Sequence, residues 1–129
     1  MFYRFDEDIT GGLEAIRKTV SNIMDETKSI IGDEDLFFDL RLVLNELLIN
    51  AYEHGNKGDK NKFLHICLVI DDIELKLRVQ DEGEGLCLDS YGYDCSKLYD
   101  HGRGLLIVKK LTDCLQVEDN VVRCIFNRE

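Results

Sequence analysis

The sequence predicts an α+β sandwich of two layers, with helices on one face of a mixed, mostly antiparallel sheet. Three observations predict it. Two long stretches carry apolar residues at three- and four-residue steps, other stretches alternate apolar and polar residues, and the two kinds fall in separate blocks. A chain of 129 residues accommodates one such domain, residues 1–129, and no internal repeat, low-complexity tract or linker divides it.

The elements follow in order. A short strand, about Phe2–Phe5, opens the chain. From Gly12 to Ile31, Leu13, Ile16, Val20, Ile23, Met24, Ile30 and Ile31 mark one face of an amphipathic helix. Gly32 ends it, and Asp33 is placed to cap the next helix through the unpaired amides of its first turn. That second helix, about Glu34–His54, carries Leu36, Phe37, Leu40, Leu44, Leu47, Leu48 and Ala51 on one side, and Gly55 stops it. After the loop Asn56–Lys62, Phe63–Ile70 is almost wholly apolar. Ile73–Gln80 alternates strictly, so one face is buried and the other wet, and Asp71-Asp72 makes the hairpin between them. A glycine-punctuated polar stretch runs to about His101. A short helix at Gly104–Thr112 and a hairpin of Leu115–Glu118 with Val121–Asn127, turning at Asp119-Asn120, complete the chain.

Composition removes several function classes. Hydrophobic residues make up 44% and charged residues 33%, enough apolar material for a core. The formal charge of −10 argues against a nucleic-acid or anionic-membrane binder, whose affinity rests on a basic footprint. No apolar run nears the roughly 20 residues that span a bilayer, and the acidic start MFYRFDEDIT does not read as a signal peptide. A cytoplasmic protein is expected. The five cysteines include no C-x-x-C pair, and the three histidines are far apart. Neither a disulfide framework nor a zinc site is suggested, and Cys67 and Cys124, inside apolar runs, are expected to pack as small hydrophobes.

The second helix carries a polar stripe. At about 100° per residue, Glu46, Asn50 and Glu53 lie opposite the leucines. Read alone, that stripe is a solvated face. Yet Leu42, Val43 and Ile49 narrow it, and a helix apolar nearly all round is normally buried, so its remaining polar groups then face a pocket. Glu46 and Asn50, four apart, project side by side. An Asn carbonyl is a hard oxygen donor suited to Mg²⁺, and a carboxylate one turn away suits deprotonation of a nucleophile attacking phosphorus.

Two glycine loops follow in the chain. Asp81-Glu82-Gly83-Glu84-Gly85 ends the alternating strand; an Asp there can accept a hydrogen bond from an exocyclic amine, and the glycines allow close backbone approach. Alone, this is also a plain acidic turn. His101-Gly102-Arg103-Gly104 precedes Leu105-Leu106-Ile107-Val108; glycines opening a helix leave its first N–H groups accessible to phosphate oxygens, though a flexible helix entry looks the same. No G-x-x-x-x-G-K-[ST] and no strand–G-x-G-x-x-G–helix unit occurs, which excludes a P-loop and leaves no indication of a dinucleotide fold.

Glu46–Asn50 in LNELLINAYEHG, Asp81–Gly85 in VQDEGEG and Gly102–Gly104 in HGRGLLIVKKLTD resemble, in that order, the N, G1 and G2 boxes of the GHKL (histidine kinase-like) ATPase superfamily. The resemblance runs over nearly the whole chain and is nearest to the single-domain serine/threonine kinases that act as anti-sigma factors. It implies a Bergerat-type fold and a Mg²⁺–ATP ligand. Box by box, it implies Asn50 as the Mg²⁺-binding residue and Glu46 as catalytic base. Asp81 becomes the adenine-reading residue, with Gly83 and Gly85 shaping the nucleotide pocket. Gly102 and Gly104, with Arg103 between them, fall at the phosphates beside a lid of residues Leu86–His101. His54 and Gly55 complete the N-A-x-x-H-G ending of the anti-sigma branch. The implied partners are ATP, a sigma factor and an antagonist protein of STAS type, with a homodimer implied by the family alone.

Three functions compete on this reading. An anti-sigma serine kinase accounts for Glu at the first N-box position, where histidine kinases usually carry Asn. A detached histidine-kinase domain lacks support from any phosphoacceptor-bearing helix, the first His being His54 inside the N box. A non-catalytic binding module, in which ATP only sets the lid's conformation, stays open.

Overall fold

The structure, a computed structural model, describes residues 2–83 and 103–128. Strand β1 (Tyr3–Ile9) leads into helices α1 (Gly12–Ile31) and α2 (Glu34–Asn50), and α2 runs on into a π-turn at Ala51–Gly55. Strands β2 (Leu64–Ile70) and β3 (Glu74–Gln80) follow, then helix α3 (Arg103–Leu111) and strands β4 (Cys114–Glu118) and β5 (Val121–Asn127). The α+β sandwich is the architecture formed.

Local chemistry sets the helix limits. Gly11 and Gly12 enter α1 with φ of 116° and 73°, conformations that disfavour side chains with a Cβ. Gly32, φ 73°, closes it by donating its N–H to Lys28 O at 3.3 Å. Asp33 caps α2 as expected: its Oδ1 accepts from the N–H groups of Asp35 at 2.9 Å and Leu36 at 3.1 Å.

The sheet order is β1-β2-β3-β5-β4, and all four pairings are antiparallel. The parallel component of the expected mixed sheet is therefore not formed among the described strands. The reason is topological. Strands β3 and β4 do run the same way, joined across α3, but β5 folds back between them and pairs with both.

Alternation along the strands divides the faces. Leu64, Ile66, Leu68 and Ile70 of β2, Leu75, Leu77 and Val79 of β3, and Cys124 and Phe126 of β5 point to the helices. There they meet Ile16, Val20 and Ile23 of α1, Leu40, Val43, Leu44, Leu47 and Leu48 of α2, and Leu105 and Val108 of α3, all buried. Burial of this apolar surface is the main stabilising contribution. Cys124 joins that core. Cys67 does not: it is half-buried on the far face, opposite Asp6 and Arg78 in register. Ile73, the first residue of the expected alternation, is 65% exposed because the hairpin turn holds it, Asp71 Oδ1 accepting from the N–H groups of Ile73 and Glu74 at 2.9 Å each.

Strand β1 reaches Ile9, four residues past its expected end. The run Asp6-Glu7-Asp8 resembles a wet turn, but β1 is an edge strand, where charge is tolerated. His65 of β2 takes up two of these carboxylates, at 2.9 Å from Asp6 and 2.6 Å from Asp8. At the other end Arg128 donates its main-chain N–H to Ile73 O at 2.8 Å and its guanidinium to Ile30 O at 2.9 Å, tying the β2–β3 turn to the end of α1. No helix among the described residues is long and apolar enough to cross a membrane.

Candidate functional site

A slot opens between the C-terminal end of α2 and the sheet. One wall is helical: Leu47, Asn50, Ala51 and His54 stand at i, i+3, i+4 and i+7, so Asn50 shares a face with Leu47 and Ala51 instead of lying opposite the leucines as expected, being only about 60° round the helix from Leu47. The other wall comes from strand ends, with Val79 and Asp81 at the close of β3, Asp119 and Asn120 in the β4–β5 turn, and Val122 on β5. Leu105, in the first turn of α3, closes a third side. Apolar side chains thus form the body of the slot, and a few polar groups from distant parts of the chain converge on it, the usual make-up of a small-molecule site.

Asn50 supplies one of those polar groups. Its Nδ2 is buried and has no hydrogen-bond partner among the described residues. Buried polar atoms are almost always paired, and an unpaired one costs about 1–3 kcal/mol.

Asp81 faces the same space. Its carboxylate is held by Gly83, whose N–H donates to Oδ1 at 2.7 Å. Desolvation raises its pKa above the ordinary carboxylate value, against the opposing pull of the Gly83 N–H and of nearby Lys62. A carboxyl whose folded-state pKa lies above its unfolded one costs stability at higher pH, and the cost disappears as protonation neutralises it. Asp81→Asn, which keeps an acceptor for Gly83, is therefore expected to melt higher than the wild type at pH 7 without ligand. That difference narrows as pH falls toward the ordinary Asp range near about 3.9. Melting curves across pH test this, and a variant less stable than the wild type at pH 7 refutes it.

The backbone has to come unusually close to this carboxylate. The π-turn, closed by Asn56 N–H on Ala51 O at 2.8 Å, carries Gly55 directly against Asp81. A Cβ on Gly55 would overlap the Asp81 carboxylate oxygens, and one on Gly83 would overlap the Gly55 carbonyl. Next in the chain, Asn56 is fully buried and ties three segments together. Its Nδ2 donates to Phe63 O at 3.0 Å, and its Oδ1 accepts the Glu82 N–H at 2.8 Å.

The residues singled out by sequence divide as follows. Asn50 and Asp81, 31 positions apart, line one slot with His54 and Gly55, and Gly83 lies beside them. Glu46 is half-buried one turn before Asn50 and is not among the residues lining the slot. Arg103 and Gly104 are the first two residues of α3 and directly precede Leu105, which lines the slot. Gly85, Gly102 and the segment Leu86–His101 lie outside the described residues. Sequence reasoning missed Asn56 and the Asp119-Asn120 turn as parts of the site. Their only local signal is turn chemistry, which does not say what the turn holds.

Residues 9–126 match the family described as histidine kinase-like ATPase domain. The chain is 28% identical over 107 residues to an anti-sigma F factor of Clostridium acetobutylicum, covering 79% of this chain and 72% of that protein. It is 35% identical over 52 residues to an anti-sigma F factor of a Geobacillus species, covering 40% of this chain and 36% of that one. Such a domain implies ATP as the ligand, and a match running from the end of β1 to the end of β5 takes in every described element of the slot. The protein belongs to the histidine kinase-like ATPase family.

Proposed function

We propose that the protein is an anti-sigma factor with Mg²⁺–ATP-dependent serine kinase activity, which sequesters a sigma factor and phosphorylates a serine of a STAS-type antagonist in the cytoplasm. The observation that carries this reading is that Asn50, whose buried Nδ2 has no hydrogen-bond partner among the described residues, lines the same slot as Asp81. Asp81, an acceptor only, receives the exocyclic amine of adenine between the apolar walls. The triphosphate extends toward the N-terminus of α3, where unpaired N–H groups favour anions.

The donor set fits the metal. The two ends of an Asn side chain exchange by rotation about one bond, so Asn50 can turn its carbonyl oxygen into the slot, and a hard oxygen donor is what Mg²⁺ takes. When bound, the metal neutralises phosphate charge. That matters in a protein of net charge −10, which repels nucleotide at long range. Glu46, on α2 one turn earlier, is the base that takes the serine hydroxyl proton. Gly85, Gly102, Arg103 and Gly104 contact the nucleotide by family resemblance.

Mg²⁺–ATP is expected to raise the melting temperature, by linkage worth about 2.7 kcal/mol at a hundredfold excess over Kd. Asn50→Ala is expected to remove the Mg²⁺-dependent part of the shift. No shift at millimolar Mg²⁺–ATP defeats the reading. A second reading, a non-catalytic module in which ATP only sets conformation, draws support from the position of Glu46 outside the slot lining. Phosphotransfer assays separate the two.

A further inference from the structure

We propose that Asn120 is a positioning residue for base selectivity, fixing Asp81 from the far side of the slot so that its carboxylate reads an amino-bearing purine; this rests on the ATP reading above. The ladder between β3 and β5 runs in register to its last pair, Gln80 with Val121. One step further, Asp81 N–H still donates to Asn120 O at 3.1 Å. At this step Asp119, with φ of 54°, has begun to turn the chain back toward β4. The Asn120 side chain supplies the return bond, its Nδ2 donating to the Asp81 main-chain carbonyl at 2.5 Å. The ladder thus gains one rung, half of it made by a side chain.

That rung falls where it matters. Asp81 is the first residue beyond β3, where a strand end would be loose. Asn120 holds its main chain on both the N–H and the C=O, while Gly83 holds the side chain through Oδ1. With both handles fixed, the carboxylate keeps one orientation toward a slot that Asn120 itself helps to line. An ionised carboxylate only accepts hydrogen bonds. A 6-amino purine donates to it, whereas a 6-oxo purine presents a second acceptor and is repelled. The discrimination depends on how firmly the acceptor is held, because a carboxylate free to swing away escapes the repulsion.

The test compares affinities for Mg²⁺–ATP and Mg²⁺–inosine triphosphate, measured by calorimetry on the full chain for wild type, Asn120→Ala and the isosteric Asn120→Asp. The wild type is expected to favour ATP. In Asn120→Ala the loss of one hydrogen bond is expected to weaken ATP binding about tenfold, with inosine triphosphate unchanged or improved, so the preference drops by at least that factor. Asn120→Asp, which sets an acceptor against the Asp81 carbonyl, is expected to lose as much or more. The ratio is read on folded protein, so a change in stability alone does not move it, and Asn120→Asp serves if Asn120→Ala does not fold. A wild type that prefers ATP, with the preference kept in the variants or both affinities falling together, overturns the role of Asn120 alone. A wild type that binds neither nucleotide overturns the ATP reading and this inference with it.

Discussion

Gly55→Ala is expected to abolish ATP binding, with no thermal shift at millimolar Mg²⁺–ATP. The methyl group would occupy the place of the Asp81 carboxylate oxygens. Two rigid neighbours block its escape. Moving the π-turn outward breaks the Asn56 N–H bond to Ala51 O, and moving the carboxylate breaks its bond from Gly83 N–H. Overpacking of this kind costs about 1–3 kcal/mol even where the surroundings relax, and here relaxation displaces the carboxylate that we propose reads the base. A double-mutant cycle identifies the cause. Against Asp81→Ala, which removes the obstructing oxygens, the stability cost of Gly55→Ala is expected to shrink, giving a coupling of about 0.5–3 kcal/mol. Wild-type affinity in Gly55→Ala would show that the carboxylate does not sit where nucleotide binds.

The contrast between Gly55 and its surroundings shows what a sequence displays. Helix α1 matches its expected limits, Gly12–Ile31, because a long periodic face lies between two glycines that each need positive φ. Strand β3 was equally legible, its strict alternation leaving Leu75, Leu77 and Val79 buried. In both, the information is local and repeated. The π-turn is local but not repeated: Ala51–Gly55 keeps the residue types of a helix end, and the extra residue per turn changes no pattern of hydrophobicity. The clamps on Asp81 are not local at all. Asn56 reaches Glu82 across 26 positions and Asn120 reaches Asp81 across 39. Each is a single asparagine in a turn, and nothing beside it in the chain names its partner. The order of strands was hidden for a related reason, since antiparallel hairpins can add at either edge and only the packed sheet puts β5 between β3 and β4. For the site itself, the placing of Asn50 and Asp81 on one slot was legible only through family resemblance, because they are 31 positions apart with two strands between them.

Glu46→Ala is expected to separate binding from chemistry. Glu46 is on the same helix as Asn50, four residues earlier and half-buried, yet outside the lining of the slot. Removing its carboxylate therefore leaves the apolar walls, Asp81 and Asn50 untouched, and the thermal shift with Mg²⁺–ATP is expected to stay within the wild-type range. Phosphate transfer from γ-labelled ATP to the antagonist's serine is expected to fall by about 10²–10⁴, the usual contribution of a general base. Glu46→Gln, which keeps the shape and removes the basicity, is expected to fall nearly as far, whereas a residue that only props α2 would be rescued by it. Transfer at the wild-type rate in both variants assigns the base elsewhere. A wild type that binds ATP tightly, partners its sigma factor and transfers nothing leaves the conformational module as the function of this fold.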